Sequence, residues 1–213
     1  MGEPTQLIIF DCDGVLVDSE RLAIRIDARV LADVGWPMPE EEIVERFVGK
    51  PDAHMLAEVE RHTGKDVREA WYTTYSAMYR AAFEEELTPV PGIVEALDAI
   101  DLATCVASSG THERIRFTLG LTGLIDRFDD RIYSAQDVER GKPFPDLFLH
   151  AAEQMGESVR ACVVVEDSVA GVEAARAAGM RVLAYGAGVT PGAKLEGPNT
   201  TVFTNMTHLP SLL

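Results

Sequence analysis

Cysteine is scarce in this chain and poorly placed to build structure. Cys12, Cys105 and Cys162 are an odd number at wide spacing, which gives neither a disulfide framework nor a zinc-ligand pattern. Each lies in or beside an apolar run and reads as a small buried hydrophobe, and only Cys12, between two aspartates, sits near candidate chemistry. Positive charge is also short: 19 Lys and Arg stand against 35 Asp and Glu, a formal net charge of −16. Nucleic acid and anionic membrane both attract positive proteins, so neither is expected as a partner. An anionic small molecule stays open, because a bound cation and a few placed basic side chains reverse the field locally. No apolar run approaches the ~18 residues of a membrane span. The N-terminal MGEPTQ lacks the basic and apolar segments of a signal peptide. The expectation is a cytoplasmic protein, a monomer or weak dimer.

With 46% apolar and 25% charged residues, the 213-residue chain has room for one large domain, or one domain and a small insert. It is organised around residues 7–20, LIIFDCDGVLVDSE. The run Leu7-Ile8-Ile9-Phe10 predicts a short strand buried on both faces. Asp11 and Asp13 begin where that strand stops, two apart and able to point the same way, and Gly14 permits a sharp turn. Two carboxylates so close repel each other unless a cation joins them or one keeps a proton. Either solution serves catalysis: a hard cation takes oxygen ligands, and a carboxylate can attack phosphorus. The competing reading is a loop of acids at a helix start, a use to which Asp18 and Ser19 are suited.

From residue 20 to about 87 the pattern turns helical. Leu22, Ile26, Val30 and Leu31 recur at helical spacing, and Gly35-Trp36-Pro37 stops that helix. Pro39 with three glutamates predicts a new start, and residues 53–62 and 67–86 read as two further helices. Trp71, Tyr72, Tyr75, Tyr79 and Phe83 form an aromatic stripe that reads as a packing face. After Pro89-Val90-Pro91-Gly92, helices alternate with strands at 103–107, 161–165, 180–184 and 202–203, while 125–128 and 131–133 read as irregular or short-strand connections. The expected architecture is α/β: a Rossmann-like parallel sheet core from residues 1–17 and 88–213, with a small all-helical cap domain, 18–87, inserted after the first strand.

Polar clusters recur at the strand ends: Asp11 and Asp13, Ser108 and Ser109, Glu166 and Asp167, with Lys142 in a loop between two of them. The fold can bring all of these to one sheet edge, where open α/β sheets collect their chemistry. The set is complete for phosphoryl transfer. Asp11 is the nucleophile. Mg2+ is held by Asp11, Asp167 and the main-chain carbonyl of Asp13, with Glu166 in direct or water-mediated contact. Ser108 donates a hydrogen bond to a phosphoryl oxygen, beside the N–H groups of Ser109 and Gly110. Lys142 balances the crowded negative charge, and Asp13 moves the proton. Taken singly, Ser108-Ser109-Gly110 also reads as a helix N-cap and Lys142 as a solvated lysine, although Pro143 and Pro145 stiffen its loop.

These pieces together resemble the haloacid dehalogenase-like phosphohydrolases. The likeness is carried by FDCDGVLVDSE at 10–20, VASSG at 106–110, GKPFPD at 141–146 and VEDSVAG at 165–171, in the family's order and across nearly the whole chain. The resemblance implies a Rossmann-like core, an aspartyl-phosphate intermediate and Mg2+ dependence, with the roles just assigned. Asp13 argues against the dehalogenase branch, which lacks that carboxylate. The helical insert looks like the cap of the branch containing β-phosphoglucomutase, phosphoglycolate phosphatase and sugar-phosphate phosphatases. Ala23, Val48 and Asp52 stand where the mutase carries a histidine, a lysine and an arginine, so a phosphatase is expected ahead of a mutase, and a catalytically inactive binding protein comes third. The texture is most like bacterial 6-phosphogluconate phosphatase-like proteins, which makes a small phosphorylated metabolite, a sugar or sugar-acid phosphate, the expected substrate. Its recognition is expected from the cap loop at 47–52 with Lys50, and from Arg21 on the first cap helix.

Overall fold

The computed structural model describes residues 3–48, 50 and 52–213. Six strands form one sheet: β1 (Leu7–Phe10), β2 (Ala103–Ser108), β3 (Ile132–Ser134), β4 (Cys162–Glu166), β5 (Arg181–Tyr185) and β6 (Thr200–Phe203). Their spatial order is β3-β2-β1-β4-β5-β6 and every pairing is parallel. β1 lies at the centre, with Phe10 opposite Val106 on one side and Val165 on the other. All four β1 residues are fully buried, as an unbroken apolar run in a parallel sheet requires. The chain order reverses direction between β1 and β4, the switch point beyond whose carboxyl ends a doubly wound sheet opens its crevice.

The core around the sheet joins Ile9, Ala107 and Val164 to Leu147, Phe148 and Ala151 of the helix Asp146–Gln154, and to Val172 and Ala175 of the helix Val169–Ala177. Cys12, Cys105 and Cys162 are buried free thiols. The stretch at 125–133 resolves into a short 3-10 turn, Ile125–Arg127, and the edge strand β3.

Contacts divide the chain into two compact units, Met1–Asp18 with Thr88–Leu213, and Ser19–Leu87. Asp18 goes with the sheet unit, where its N–H donates to the Thr88 carbonyl at 2.9 Å. The second unit, inserted after β1, is helical: α1 (Glu20–Asp33), α2 (Glu40–Phe47), α3 (Asp52–Thr63) and α4 (Arg68–Ala70), which runs through a π-turn (Trp71–Tyr75) into α5 (Ser76–Glu86). Ser19 stands at the N-cap position of α1 but has helical backbone angles and does not cap with its side chain. Along the aromatic stripe, Trp71 and Phe83 are buried, and Trp71 packs on Tyr75 and Tyr79 with ring centroids 6.3 and 6.1 Å apart. Tyr72, one residue round the helix, is 65% exposed and leaves the stripe. No helix among the described residues is long and apolar enough to cross a membrane.

Candidate active site

The site begins with where β1 stops. The Asp11 N–H still donates to the Val165 carbonyl of β4 at 2.9 Å, so Asp11 is the first residue past the strand yet remains anchored to the sheet. The turn that follows is closed by Gly14 N–H to the Val17 carbonyl at 2.8 Å, with Gly14 at φ +79°. Only glycine fits that place. Its backbone is left-handed, and a Cβ there would stand 2.1 Å from Oδ2 of Asp167.

β4 brings the second pair of acids alongside. Glu166 is the last residue of the strand, fully buried, and its carboxylate turns back on its own loop. Its Oε2 accepts the N–H of Asp167 at 2.8 Å, the N–H of Ser168 at 2.7 Å and the Ser168 hydroxyl at 2.9 Å. Ser168 in turn caps the helix Val169–Ala177, accepting the Gly171 N–H at 3.1 Å. Gly171 is glycine for a packing reason, since a Cβ would fall 1.7 Å from Oε1 of Glu166.

Lys142 ties the two strand ends together. Its ammonium donates to Oδ1 of Asp11 at 2.6 Å and to Oε1 of Glu166 at 2.7 Å, with the side chain 4% exposed. The surface reading of Lys142 is thereby corrected: a buried ammonium needs partners of this kind to be tolerated. Burial alone would lower the Lys142 ammonium, but the Asp11 and Glu166 carboxylates outweigh it and hold it above its usual range. For Asp11 burial is again the largest influence and pushes the carboxyl up to about 7; Lys142 pulls against it, while Glu166 and Asp13 add to it.

Oxygens of Asp11, Glu166 and Asp167 lie within 4.8 Å of one another, all three residues buried. Carboxylate oxygens suit a hard divalent cation. Three buried carboxylates this close repel one another unless a cation joins them. The donor set therefore fits Mg2+.

Asp13 does not join that cluster. Its carboxylate meets Arg114 at 3.4 Å, on α7 (His112–Leu121), the helix that follows α6 (Ile93–Asp98) in the chain. Nothing in the sequence spacing singles out Arg114. Cys12 lies between the aspartates fully buried, its sulfur 3.8 Å from the Thr118 hydroxyl, and burial pushes its thiol well above the usual range, so it packs and does not react.

Ser108 closes β2, next to β1, and is 1% exposed; its hydroxyl oxygen accepts the Gly110 N–H at 3.1 Å. The N-cap of α7 is Thr111, whose side chain accepts the Arg114 N–H, so the expectation of Ser108 as a helix cap is corrected. Ser109 is exposed, and the Gly110 carbonyl accepts from the Ser134 hydroxyl at 2.6 Å, which pins this loop to β3. Arg21 and Lys50 are exposed residues of the helical unit. Gly49 and Pro51, which flank Lys50 in the expected recognition loop, lie outside the described residues. A groove of about 560 Å3 lined by Glu3, Arg160, Arg181, Asn199 and Thr200 opens at the opposite ends of the strands and contains none of the clustered carboxylates.

Residues 8–185 match the family model described as haloacid dehalogenase-like hydrolase. The 6-phosphogluconate phosphatase of Escherichia coli K12 is 33% identical over 212 residues, covering 97% of this chain and 94% of that protein. The phosphorylated carbohydrates phosphatase of Thermotoga maritima is 33% identical over 183 residues, 82% of either chain. Among solved structures, a conserved haloacid dehalogenase-like protein of unknown function from Agrobacterium tumefaciens superposes with a TM-score of 0.85 at 37% identity, covering 98% of this chain and 97% of that one.

Proposed function

We propose that this chain, which belongs to the haloacid dehalogenase-like hydrolase family and is a phosphoric monoester hydrolase, is a Mg2+-dependent phosphatase of a phosphorylated sugar or sugar acid, such as 6-phosphogluconate. The observation that carries this reading is the buried set in which Lys142 bridges Asp11 to Glu166 beside Asp167. The nature of the leaving alcohol is supported by the two relatives named above for phosphorylated carbohydrates.

Asp11 attacks phosphorus and its carboxylate becomes the acyl phosphate as the bond to the leaving oxygen breaks. Asp13 gives that oxygen a proton, then takes one from the water that attacks the aspartyl phosphate, which returns Asp11 as a carboxylate and releases inorganic phosphate. Ser108 and the N–H groups at 109–110 hold phosphoryl oxygens. Lys142 keeps Asp11 oriented and offsets its charge against Glu166. Asp11, Asp167 and the Asp13 carbonyl would hold Mg2+, with Glu166 in direct or water-mediated contact while it fixes the loop that presents Asp167. The cation supplies neutralisation of the phosphoryl charge when bound. Lys50 and Arg21 recognise the rest of the substrate.

A kinetic screen over phosphorylated metabolites with and without Mg2+, ranked by kcat/KM, tests this. Phosphate release from sugar or sugar-acid phosphates that vanishes with EDTA is expected. Absence of hydrolysis, or glucose 6-phosphate formed from β-glucose 1-phosphate and a bisphosphate primer faster than phosphate is released, refutes it.

A further inference from the structure

We propose that Arg114 is the positioning residue for Asp13, holding the proton-carrying carboxylate on line with the leaving oxygen; this rests on the reading of Asp13 as the acid–base. The main chain around Asp13 is already fixed on one side. Asp13 bridges to Val17, and the Gly14 N–H closes the turn on the Val17 carbonyl. Its side chain is reached from the other side by α7. Arg114 and Thr118 are one turn apart on that helix and face the same way. Thr118 meets the sulfur of Cys12, and the Arg114 guanidinium meets Oδ1 of Asp13 at 3.4 Å. One face of α7 thus lies along two successive residues of the acid loop.

Arg114 is itself well placed to orient a partner. Its N–H is held by the Thr111 cap at 3.2 Å. Its stem passes the Ser108–Gly110 loop, with Cδ 3.7 Å from where a Cβ on Gly110 would stand. The one side chain therefore links the loop expected to hold phosphoryl oxygens to the carboxylate expected to move the proton. A planar guanidinium offers donors in a rigid fork, which fixes a carboxylate's direction in a way an ammonium does not.

Leaving groups distinguish this role from a phosphate contact or a general structural one. An alkoxide needs a proton as it leaves, whereas p-nitrophenolate does not. In kcat/KM, which stops at phosphorylation of Asp11, Arg114→Ala should lower the value for a sugar phosphate about tenfold or more, within the range of misplaced catalytic groups. The value for p-nitrophenyl phosphate should change by less than about threefold. Arg114→Lys should be intermediate on the sugar phosphate. In an Asp13→Asn background, Arg114→Ala should add no further loss on that substrate. Equal losses on both substrates, no loss on either, or a further tenfold loss in the Asp13→Asn background would overturn the proposal. A wild-type protein inactive on both substrates would instead overturn the phosphatase reading on which the proposal rests.

Discussion

Replacing Lys142 with methionine separates the structural from the chemical use of its charge. The ammonium gives Glu166 and Asp11 one charge-assisted hydrogen bond each. Such bonds are worth about 1.5–3 kcal/mol apiece, but the two losses respond differently to pH. Burial holds the Asp11 carboxyl at about 7 in the metal-free protein. At pH 6 it is mostly protonated with or without Lys142, so the variant loses chiefly the Glu166 bond, about 1.5–3 kcal/mol. At pH 8 wild-type Asp11 is mostly ionised and held by Lys142, while in the variant it must take up a proton or stay bare. One pH unit above the midpoint adds about 1.4 kcal/mol to the loss. The sum falls within the cost of breaking a buried ion pair, about 3–5 kcal/mol. At about 2–4 °C per kcal/mol for a chain of this size, the midpoint should fall by about 3–12 °C at pH 6, and by several degrees more at pH 8. The wild type has its own slope. Folded Asp11 keeps its proton to about pH 7 while the unfolded carboxyl, at 3.8, has released it, so this group's contribution to stability falls as pH rises between those values. Melting of both proteins in EDTA at pH 6 and pH 8 measures these quantities, and added Mg2+ should recover part of the variant's loss by binding the folded state. A fall of less than about 2 °C at both pH values, or the same fall at each, would refute the reasoning, because the ammonium would then not be the charge that makes ionised Asp11 tolerable.

Asp11→Asn keeps shape but removes the nucleophile, and turnover should drop below about 1% of wild type with the melting midpoint retained; steady-state assay of contamination-free protein checks it. Asp167→Ala should weaken Mg2+ activation about tenfold or more, since even the surroundings of a bound metal carry that much; an unchanged Mg2+ titration would remove Asp167 from the metal site. Gly171→Ala drives a methyl into the Glu166 carboxylate and should cost about 1–3 kcal/mol by overpacking, seen in thermal melts. Gly120→Ala, where nothing lies within 4 Å of the added Cβ, should gain up to about 1 kcal/mol as an ordinary helix substitution.

The sheet and its acids were legible because each announces itself locally. A buried strand needs an unbroken apolar run, and acids placed directly after one have no packing reason to be there. Asp11, Glu166 and Asp167 follow from that contrast, and Lys142 from the two prolines, Pro143 and Pro145, that follow it and stiffen its loop. The order of the strands was legible only as an alternation; that β1 lies between β2 and β4 is a result of pairing over more than ninety residues of separation. Helix positions in the second unit were legible from periodicity, but the π-turn at Trp71–Tyr75 was not, because a widened turn leaves the same residue types in place.

The residues that were missed share a different property: their importance comes from a neighbour distant in sequence. Arg114 and Arg116 are both basic residues of α7, with nothing in their spacing to separate them. In the structure one meets Asp13, 101 residues away, and the other lies 3.9 Å from the exposed Asp130. Thr111 and Ser108 are both good cap residues; which one caps α7 depends on β2 running through Ser108, a matter of sheet register. Gly171 reads as an indifferent residue in an alanine-rich helix until Glu166 is seen folded back against it. Chemistry at a strand end is thus readable one residue at a time, because desolvated acids are costly wherever they occur. The groups that aim those acids are ordinary side chains made special by the fold. Arg114 is where this difference can be measured, since its loss should alter how the leaving group matters and not whether phosphorus is attacked.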